Sequence, residues 1–466
     1  MSNKINKFIN YKDYNLSINS QKVKKNDIFF AIQGTKDSGN NYINEAIKKK
    51  SSVIVSDKKI TNYKSVRVKN VRKFLAKICS LKYFNKPKNI IAVTGTNGKS
   101  SVAHYHYQIL KLNNISSSSI GTLGIFYNNN YKKTDLTTPD VVTLHKELNY
   151  LKKIKVDNVC IEASSHGLNQ ERLSEINFKA AIFTNFTQDH LDYHKTLNKY
   201  LKAKLYLFTH LLNNRSFAIT DSDIPEYAKI KKICKKRKIK VLSFGKFGNT
   251  IKLIFHKYSS QYQIIKINFL GKIYQLKINL IGNFQIKNLF SSMISANLIL
   301  NNTDKIINII SKLKAPKGRM EIISTKKSKF VIVDYAHTPD ALKKSLITLK
   351  EQFKKKIDVV FGCGGDRDKN KRYKMGIIAA RFADKIYLTN DNPRSENPMS
   401  IIRQIRKGCS NSTVILDRKS AIKTAIQRLS SSGILLIAGK GHENYQIIGK
   451  KRKKFSDQKT AKLYLN

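Results

Sequence analysis

The sequence predicts an α/β protein built of three domains, and three features of the chain support this. At 466 residues the chain exceeds the size of one hydrophobic core, and about 150 residues per domain gives three. Short apolar runs that lead into polar loops and helical patterns are typical of parallel sheets covered by helices. Prolines at 87 and 316 disfavour helix continuation at two junctions. We therefore predict a small N-terminal α/β domain (1–88), a central parallel-sheet domain with added antiparallel strands (89–315) and a C-terminal doubly wound domain (316–466).

Several elements are predicted from apolar patterns alone and carry no chemistry. Residues 27–32 and 52–55 read as strands, and residues 42–47 open a helix between them. Residues 249–281 alternate between apolar and polar side chains, which predicts antiparallel strands.

Residues 90–101, Ile-Ile-Ala-Val-Thr-Gly-Thr-Asn-Gly-Lys-Ser-Ser, predict a strand, a glycine loop and the start of a helix. The helix follows from the spacing of Val102, Tyr105, Ile109 and Leu112. Loop N–H groups and the helix N-terminus bind phosphate, Lys99 can reach terminal phosphates, and the Ser100 hydroxyl can ligate Mg²⁺. Position 93 is valine where the ordinary phosphate-loop motif has glycine, so an incidental loop stays an alternative. The residues expected to bind a nucleoside triphosphate in this P-loop are Gly95, Thr96, Asn97, Gly98, Lys99, Ser100 and Ser101.

Two further strands of the predicted central sheet also end in polar side chains. Residues 158–161 lead to Glu162, and residues 180–183 lead to a loop that contains His190. Ligands gather beyond the carboxyl ends of parallel strands, so Glu162 and His190 should meet the P-loop. A carboxylate and an imidazole beside a triphosphate can bind Mg²⁺, although a solvated glutamate and a helix-capping histidine remain alternatives.

The C-terminal domain is predicted to contain a Rossmann-like doubly wound sheet. Its strands are residues 330–333, 357–361, 385–389 and 434–438, each followed by a polar loop. Thr338 and Pro339 are typical residues for the start of a helix. The sequence lacks a G-x-G-x-x-G segment, which disfavours a dinucleotide cofactor.

Arg367, Arg394 and Glu443 follow three strands of this C-terminal sheet. Each guanidinium group can bind a carboxylate through paired hydrogen bonds, and Glu443 can accept a hydrogen bond from an ammonium group. Two cations and one anion at a sheet edge suit a zwitterionic amino acid. Surface salt bridges are the alternative.

The chain is strongly basic, with 88 Lys and Arg residues against 31 Asp and Glu residues and a net charge of +57. This excess fits either a nucleic-acid or membrane-surface binder or the lysine enrichment that an AT-rich genome produces. We favour the second interpretation because lysine is scattered along the chain and the densest clusters, 231–240 and 450–454, are short. We therefore expect no nucleic-acid partner, whereas a positive field would attract anionic substrates.

Cysteine usage and hydropathy predict a soluble protein of the cytoplasm, and we separately expect a monomer. The five cysteines are odd in number and form no C-x-x-C pair, which argues against a disulfide framework. Residues 1–14 lack the apolar run of a signal peptide. The longest aliphatic stretches, such as 434–438, are far shorter than the roughly 20 residues of a membrane span, so we expect no membrane insertion.

Five segments carry a resemblance to one enzyme family. They are Thr-Gly-Thr-Asn-Gly-Lys-Ser (94–100), Glu-Ala-Ser-Ser-His-Gly-Leu (162–168), Asp-His-Leu-Asp-Tyr-His (189–194), Tyr-Leu-Lys-Ala-Lys (200–204) and Asp-Asn-Pro-Arg-Ser-Glu (391–396). Together they resemble the Mur ligases, ATP-dependent enzymes that join a carboxylate to an amine, and in particular those that select meso-diaminopimelate. The resemblance implies addition of meso-diaminopimelate to UDP-N-acetylmuramoyl-L-alanyl-D-glutamate through an acyl phosphate, in peptidoglycan precursor synthesis.

The resemblance also implies roles that the residue types alone do not indicate. Lys204 would be carbamylated, and its carbamate would hold a second Mg²⁺. The catalytic residues would be Lys99, Lys204 and His190. The metal ligands would be Ser100, Glu162, His190 and carbamylated Lys204. The further ATP contacts would be Asn288, Arg319 and Asp334, and His337 is a candidate general base for the incoming amine.

The substrate contacts implied by the resemblance fall in all three predicted domains. The UDP-muramoyl dipeptide would contact Ile18, Ser20, Thr35, Lys36, Asp37, Thr137, Thr138, Ser164, Gln170 and Arg172. The diaminopimelate would contact Arg367, Asp391, Asn392, Pro393, Arg394, Gly439 and Glu443. Arg394 would decide specificity, because diaminopimelate has a second carboxylate that lysine lacks.

Two other functions remain open at this point. A folylpolyglutamate synthetase would share the P-loop, but the additional N-terminal domain and the loop at 391–394 argue against it. A basic nucleic-acid-binding ATPase would show turnover that DNA or RNA stimulates and binding that weakens steeply with salt.

Overall fold

The computed structural model describes residues 13–34, 37–259, 262–324 and 330–465. Thr35 and Lys36, which we predicted to contact the nucleotide substrate, lie outside the described residues.

The N-terminal part of the described chain forms a parallel four-stranded sheet in the order β1-β2-β3-β4. Its strands are β1 (Leu16–Ser17), β2 (Ile28–Phe30), β3 (Val53–Ser56) and β4 (Ser65–Arg67). The sequence predicted β2 and β3, which lie in apolar runs, but not β1 (Leu-Ser) and β4 (Ser-Val-Arg), which have one apolar side chain each. Every residue of β2 and β3 is buried.

The central sheet has eleven strands in the described residues, in the order β15-β14-β13-β12-β11-β10-β5-β9-β6-β7-β8. The strands are β5 (Asn89–Thr94), β6 (Ser117–Gly121), β7 (Gly124–Tyr127), β8 (Asn130–Lys132), β9 (Asn158–Glu162), β10 (Ala180–Phe183), β11 (Phe217–Asp221), β12 (Lys240–Gly245), β13 (Ile251–Tyr258), β14 (Gln263–Phe269) and β15 (Lys272–Ile278). Strand β5 lies between β9 and β10 and is parallel to both. The residues that follow these three strands therefore share one edge of the sheet, as predicted.

The antiparallel strands predicted in residues 249–281 are β13, β14 and β15. Strand β6 was not predicted, although all five of its residues are buried. Its sequence, Ser-Ser-Ser-Ile-Gly, has one aliphatic side chain. Pairing with β9 and packing under a helix bury this strand, and neither contact leaves a pattern in the local sequence.

The C-terminal sheet has the order β16-β17-β21-β18-β19-β20. Its strands are β16 (Glu321–Ser324), β17 (Phe330–Asp334), β18 (Ile357–Phe361), β19 (Lys385–Leu388), β20 (Thr413–Val414) and β21 (Ile434–Ala438). All neighbouring pairs are parallel except β16 with β17. A separate antiparallel hairpin, β22 (Tyr445–Ile448) and β23 (Lys451–Lys454), follows.

Helices cover the three sheets. They are α1 (Ile43–Lys48), α2 (Val71–Lys82), α3 (Lys99–Leu112), α4 (Val141–Lys153), α5 (Ser165–Asn169), α6 (Leu191–His194), α7 (Leu197–Tyr206), α8 (Tyr227–Lys236), α9 (Asn283–Leu300), α10 (Thr303–Ile307), α11 (Pro339–Phe353), α12 (Asn370–Phe382), α13 (Pro398–Arg406), α14 (Arg418–Gln427) and α15 (Asp457–Leu465). The mixed α/β fold class predicted from the sequence is confirmed.

Two helices, α11 and α3, show the features from which the sequence predicted them. Helix α11 begins as expected: the Thr338 hydroxyl accepts a hydrogen bond from the Ala341 N–H, and Pro339 is the first helical residue. In α3, Val102, Tyr105 and Ile109 are buried in the core that the helix shares with α9. Leu112 is 41% exposed because it is the last residue of α3, where the helix leaves the sheet.

Two sequence-based expectations concern the whole chain. The five cysteines are unpaired and buried in the structure. In the part of the chain that the structure describes, no helix is both long and apolar enough to cross a membrane.

Candidate active site

A cleft of about 840 Å³ lies between the carboxyl edges of the central and C-terminal sheets. Its lining includes the P-loop residues 96–101, Glu162 and residues 188–192 from the central sheet. Across the cleft lie Arg319 and the loops that follow the C-terminal strands. The strand-end rule thus brings together the two groups of polar loops that the sequence predicted separately.

The P-loop conformation depends on glycine at position 98. Gly98 has φ +90°, and a Cβ there would lie 2.3 Å from Asn288 Oδ1. Asn288 therefore contacts the P-loop, although it does not line the cleft. The Lys99 ammonium donates hydrogen bonds to the carbonyls of Gly95 at 2.8 Å and Thr96 at 2.9 Å. Burial lowers the pKa of Lys99, and Glu162 opposes that shift.

Ser100 and Glu162 form a buried oxygen cluster beside the P-loop. The Ser100 hydroxyl donates to Glu162 Oε2 at 3.0 Å. Thr122 holds the same carboxylate through its N–H, 2.9 Å from Oε1, and its hydroxyl, 3.1 Å from Oε2. A Cβ at Gly121 would lie 2.0 Å from Glu162 Oε1, so glycine is needed where β6 passes the carboxylate. Hydroxyl and carboxylate oxygens are the ligands that Mg²⁺ prefers.

His190 reaches the same edge from the loop after β10. It occupies the position before helix α6 with φ +52°, and its side chain makes no capping hydrogen bond, which excludes the helix-cap alternative. Burial lowers the pKa of His190 to about 4, although Asp189 at 3.4 Å opposes the shift. The imidazole is therefore neutral at pH 7, the form that ligates a metal.

Lys204 is fully buried on helix α7. Its ammonium donates to the Gly95 carbonyl at 2.6 Å and lies 4.4 Å from the centre of the Tyr200 ring. Burial lowers the pKa of Lys204 well below its ordinary value, and the neighbouring charge of Lys99 lowers it further. Lys204 thus lies beside the P-loop, and its carbamylation stays a prediction. Within the described residues, no group of three or more His, Cys, Asp and Glu side chains is arranged to hold a metal.

Arg319 extends from the C-terminal region to the P-loop. Its guanidinium lies 4.4 Å from the centre of the Tyr335 ring and donates to Ser100 Oγ at 3.2 Å. Its Nε is buried without a partner in the described residues. Asp334 is also buried, but it accepts hydrogen bonds from the Met320 N–H and the Ser345 hydroxyl and does not line the cleft. Its contact with ribose stays a prediction.

The opposite wall of the cleft carries the predicted amino-acid contacts. Arg394 has φ +52°, and its guanidinium donates to the Gly365 carbonyl at 2.7 Å. Arg367 is exposed at the cleft, and Glu443 lines the same wall. Asp391, Asn392 and Gly439 line it too, whereas Pro393 is buried outside the lining.

Comparisons with known proteins decide the family. Three sequence models match consecutive parts of the chain: "Mur ligase family, catalytic domain" at residues 14–83, "Mur ligase middle domain" at 93–296 and "Mur ligase, glutamate ligase domain" at 318–441. The chain belongs to the Mur ligase family.

This Mur ligase has relatives along almost its whole length. It is 44% identical over 457 residues to UDP-N-acetylmuramoyl-L-alanyl-D-glutamate--2,6-diaminopimelate ligase from Rickettsia bellii, covering 96% of this chain and 95% of the relative. A solved structure of an enzyme with that name matches with a TM-score of 0.70 and 30% identity, over 97% of this chain and 94% of the other. Folylpolyglutamate synthase from Mycobacterium tuberculosis shares the fold at 16% identity, with a TM-score of 0.66 over 79% of this chain and 92% of the other.

The predicted contacts with the muramoyl dipeptide are partly gathered in the Mur ligase cleft. Thr137, Thr138, Ser164 and Arg172 line it. Thr138 donates to the Glu162 backbone carbonyl at 2.6 Å, and Arg172 donates to the Thr138 carbonyl at 2.7 Å. Gln170 accepts hydrogen bonds from Arg172 and lies behind the lining.

The predicted uridine contacts lie apart from the cleft lining. The Ser20 hydroxyl donates to Glu45 Oε2 at 2.7 Å and is buried in the N-terminal region. Asp37 accepts hydrogen bonds from the Ser38 N–H, Asn41 and Tyr42, and Ile18 is exposed. Nucleotide binding by these residues stays a prediction.

Sequence reasoning missed several residues of the Mur ligase cleft. Thr122 holds Glu162 but follows a serine-rich strand with no apolar pattern. Lys440, in the polar loop after β21, is fully buried beside Glu443 and behind the cleft lining. Asp340, the second residue of α11, accepts a hydrogen bond from P-loop Asn97 at 3.2 Å. The sequence offered one signal for Lys440 and Asp340: they lie in the polar loop after β21 and at the predicted start of α11.

Proposed function

We propose that this chain is an ATP-dependent ligase that adds meso-diaminopimelate to UDP-N-acetylmuramoyl-L-alanyl-D-glutamate in peptidoglycan precursor synthesis. One observation carries the proposal: a single cleft contains a P-loop on one wall and two arginines with a glutamate on the other. This arrangement suits a reaction that joins a phosphate-activated carboxylate to a zwitterionic amino acid. Relatives that are similar over nearly the whole chain carry the corresponding name.

The reaction proceeds in two steps. The side-chain carboxylate of the D-glutamyl residue attacks the γ-phosphorus of ATP, which forms a C–O–P linkage and releases ADP. The neutral amine of the amino acid then attacks the acyl carbon, the C–N bond forms, and inorganic phosphate leaves as the amine loses a proton. Activation is required because a carboxylate anion resists nucleophiles.

The residues of this chain contribute position and charge to these steps. Lys99 and Arg319 meet at the P-loop, where two cations offset the charge that spreads over the phosphoryl oxygens. Arg172, fixed by Thr138 and Gln170, is available to the carboxylate of the dipeptide. His337 has a pKa that burial lowers, so its imidazole is neutral, and it is the candidate base for the amine proton.

Specificity for diaminopimelate follows from the count of charges. In the proposed pose, Arg367 and Arg394 each pair with one carboxylate, and Glu443 accepts the ammonium that does not react. Lysine has one carboxylate and leaves one guanidinium without a partner. The side chain of Arg394 is held in place by the Gly365 carbonyl.

The residues present fit a magnesium site. Ser100 and Glu162, with His190 nearby, offer hard donors beside the P-loop, and Mg²⁺ is commonly held by one or two carboxylates together with substrate phosphates. When bound, Mg²⁺ neutralises charge on the phosphates during transfer.

Lys204 is the proposed carbamate. A neutral lysine amine attacks the carbon of CO₂, an N–C bond forms and one proton is released to solvent. The burial that lowers the pKa of Lys204 favours the neutral amine this step needs. The resulting carbamate would be an anion able to hold a second Mg²⁺.

The carbamate is tested with Lys204→Ala. We expect turnover to fall at least a hundredfold and to recover in part when a short carboxylic acid is added. Lys202→Ala, an exposed lysine on the same helix, is the matched control and should keep its activity. Normal turnover in Lys204→Ala would reject the carbamate.

The function is tested by phosphate release from ATP. We expect release to require both the UDP-muramoyl dipeptide and meso-diaminopimelate, and to be slower with lysine. Arg394→Gln should lower kcat/KM for diaminopimelate by about tenfold to a hundredfold, since charged hydrogen bonds contribute about 1.5–3 kcal/mol. Arg403→Gln, an exposed arginine on α13, is the control.

Three outcomes of this assay contradict the proposal. Faster turnover with lysine would overturn the role of Arg394. Stimulation by a folate with glutamate would favour a folylpolyglutamate synthetase. Stimulation by DNA or RNA, lost steeply with added salt, would favour a nucleic-acid-dependent ATPase.

A further inference from the structure

The Lys440 ammonium is fully buried in the wall of the cleft, in the loop between β21 and the β22–β23 hairpin. It donates to Glu443 Oε2 at 2.9 Å and to Asn392 Oδ1 at 3.1 Å. Its Nζ also lies 5.5 Å from the centre of the Tyr445 ring. Nothing in the two reaction steps uses Lys440. A buried ammonium is costly unless it is paired, and the Glu443 carboxylate is the charged partner of Lys440.

The contacts of Asn392 fix the orientation of its amide group. The backbone N–H of Ile447 can only donate a hydrogen bond, and it lies 2.9 Å from Oδ1 of Asn392. This atom must therefore be the amide oxygen. The other end of the amide must therefore be the NH₂ group, and it donates to Glu443 Oε2 at 2.9 Å. Lys440 contacts both partners: its ammonium donates to Oδ1 of Asn392 and to Oε2 of Glu443. One cation and one amide thus bind the same carboxylate oxygen.

The two oxygens of Glu443 are consequently not equivalent. Oε2 accepts hydrogen bonds from both Asn392 and Lys440. Oε1 accepts none from the residues that the structure describes, and Glu443 lines the cleft. Oε1 is therefore the acceptor left for a ligand with a positive charge.

Two glycines flank Lys440 and shape the loop that carries it. Its neighbours Gly439 and Gly441 have φ of +110° and +51°, a region that residues with a Cβ rarely adopt. A Cβ at Gly439 would also lie 2.7 Å from Asp391 Oδ2. This turn packs the loop after β21 against the loop that carries Asn392.

We propose that Lys440 is a positioning residue for the amino-acid substrate, which holds Glu443 so that Oε1 meets the substrate ammonium. This inference rests on the proposed function and deepens it. The charged hydrogen bond from Lys440 also keeps the Glu443 carboxylate ordered before the substrate arrives. Two cationic and one anionic group, Arg367, Arg394 and Glu443, then face an amino acid with two carboxylates and one ammonium.

The test is a steady-state comparison of Lys440→Met with the unmodified enzyme. We expect the KM for meso-diaminopimelate to rise about tenfold. The KM values for ATP and the muramoyl dipeptide, and kcat at saturating amino acid, should stay within about twofold. Lys385→Met, at the opposite end of the C-terminal sheet, removes one positive charge and should change none of these. An unchanged KM for diaminopimelate, or an equal rise for all three substrates, would overturn the proposal.

A double-mutant cycle shows whether Lys440 acts through Glu443. Glu443→Gln alone should raise the KM for diaminopimelate, and adding Lys440→Met to it should raise that KM less than twofold further. A second full tenfold rise would contradict the mechanism. The double variant leaves no unpaired buried charge. If Lys440→Met alone does not fold, the double variant can still be compared with Glu443→Gln.

The assay separates this inference from the proposed function. Absence of diaminopimelate-dependent phosphate release in the unmodified enzyme rejects the function. The same KM comparison is then made with the amino acid that does stimulate release, because the positioning of an ammonium by Glu443 does not depend on the rest of the amino acid.

Discussion

Burial sets the protonation of several histidines in this protein, and His106 illustrates how. Its imidazole lies between α3 and α9, where Nδ1 is 2.8 Å from Ser295 Oγ. Nε2 is buried without a partner in the described residues. Desolvation lowers the pKa of His106 to about 3, because no anion compensates for the lost water. His106 is therefore neutral in the folded protein near pH 7.

We expect His106→Gln to reduce the loss of stability on acidification. The ordinary pKa of histidine is 6.5, whereas folded His106 titrates at about 3. The unfolded chain thus binds more protons between these values, so the free energy of unfolding falls as the pH falls below about 6.5. From pH 7 to pH 5 this residue accounts for a loss of about 2 kcal/mol, which denaturant unfolding at the two pH values measures.

A matched variant makes the pH experiment specific. His210→Gln makes the same exchange at an exposed histidine and controls for the substitution itself. An equal loss of stability in His106→Gln and the unmodified protein would contradict the effect of burial.

The loops of the amino-acid wall are anchored from behind by a buried ion pair. Arg418 on α14 binds Asp457 on α15 through two hydrogen bonds of 2.8 Å, and neither side chain is exposed. The same guanidinium donates to the carbonyls of Asn390 at 3.3 Å and Ala438 at 2.9 Å. These residues directly precede Asp391 and Gly439, so two helices help to fix the loops of two strands.

We expect Arg418→Met to destabilise the protein by about 3–5 kcal/mol, because it leaves the Asp457 carboxylate buried without a partner. Arg418→Met combined with Asp457→Leu should cost less than the single change, since no charge is left unpaired. Thermal and denaturant unfolding of the three proteins measure this. A double variant less stable than the single one would show that the pair stabilises beyond its charge balance.

At the scale of the whole molecule, the two walls of the cleft contact each other through Asp340. Its Oδ2 accepts hydrogen bonds from Asn97 in the P-loop at 3.2 Å and from Thr187 in the loop after β10 at 3.3 Å. Lys344 on the same helix also donates to it at 2.8 Å. Arg319, which donates to Ser100, is a second contact across the cleft. Opening the cleft must break these contacts.

We expect Asp340→Ala to increase the population of open cleft. Loss of the two hydrogen bonds costs about 1 kcal/mol, so opening should become about fivefold more frequent. Hydrogen–deuterium exchange of the P-loop amides and of the amides of residues 340–342 measures this. Lys344→Ala, which removes only the contact within α11, is the control, and equal exchange in both variants would contradict the role of Asp340.

The fold and part of the site were predictable for two reasons. Some interactions, such as helix capping, involve neighbouring residues, and the carboxyl ends of parallel strands always meet at one edge of a sheet. Glu162 and Ser100 were placed together because both follow parallel strands of one sheet, and the structure puts their oxygens 3.0 Å apart. Thr338 was predicted at a helix start from its own type and from the proline that follows it, and its hydroxyl caps the helix. Lys204 came only from the family resemblance, since a lysine on a basic helix carries no signal of its own.

The sequence by itself determined the α/β class, the P-loop and the Mur ligase family, because strand patterns, turn residues and motif spacing act over a few residues. Only the tertiary structure decided that Lys204 and Lys440 are buried, that Thr122 holds Glu162, and that Asp340 spans the cleft. Those features depend on contacts between segments tens to hundreds of residues apart. Burial and charge pairing at such contacts are properties of the packed chain, and no local pattern encodes them.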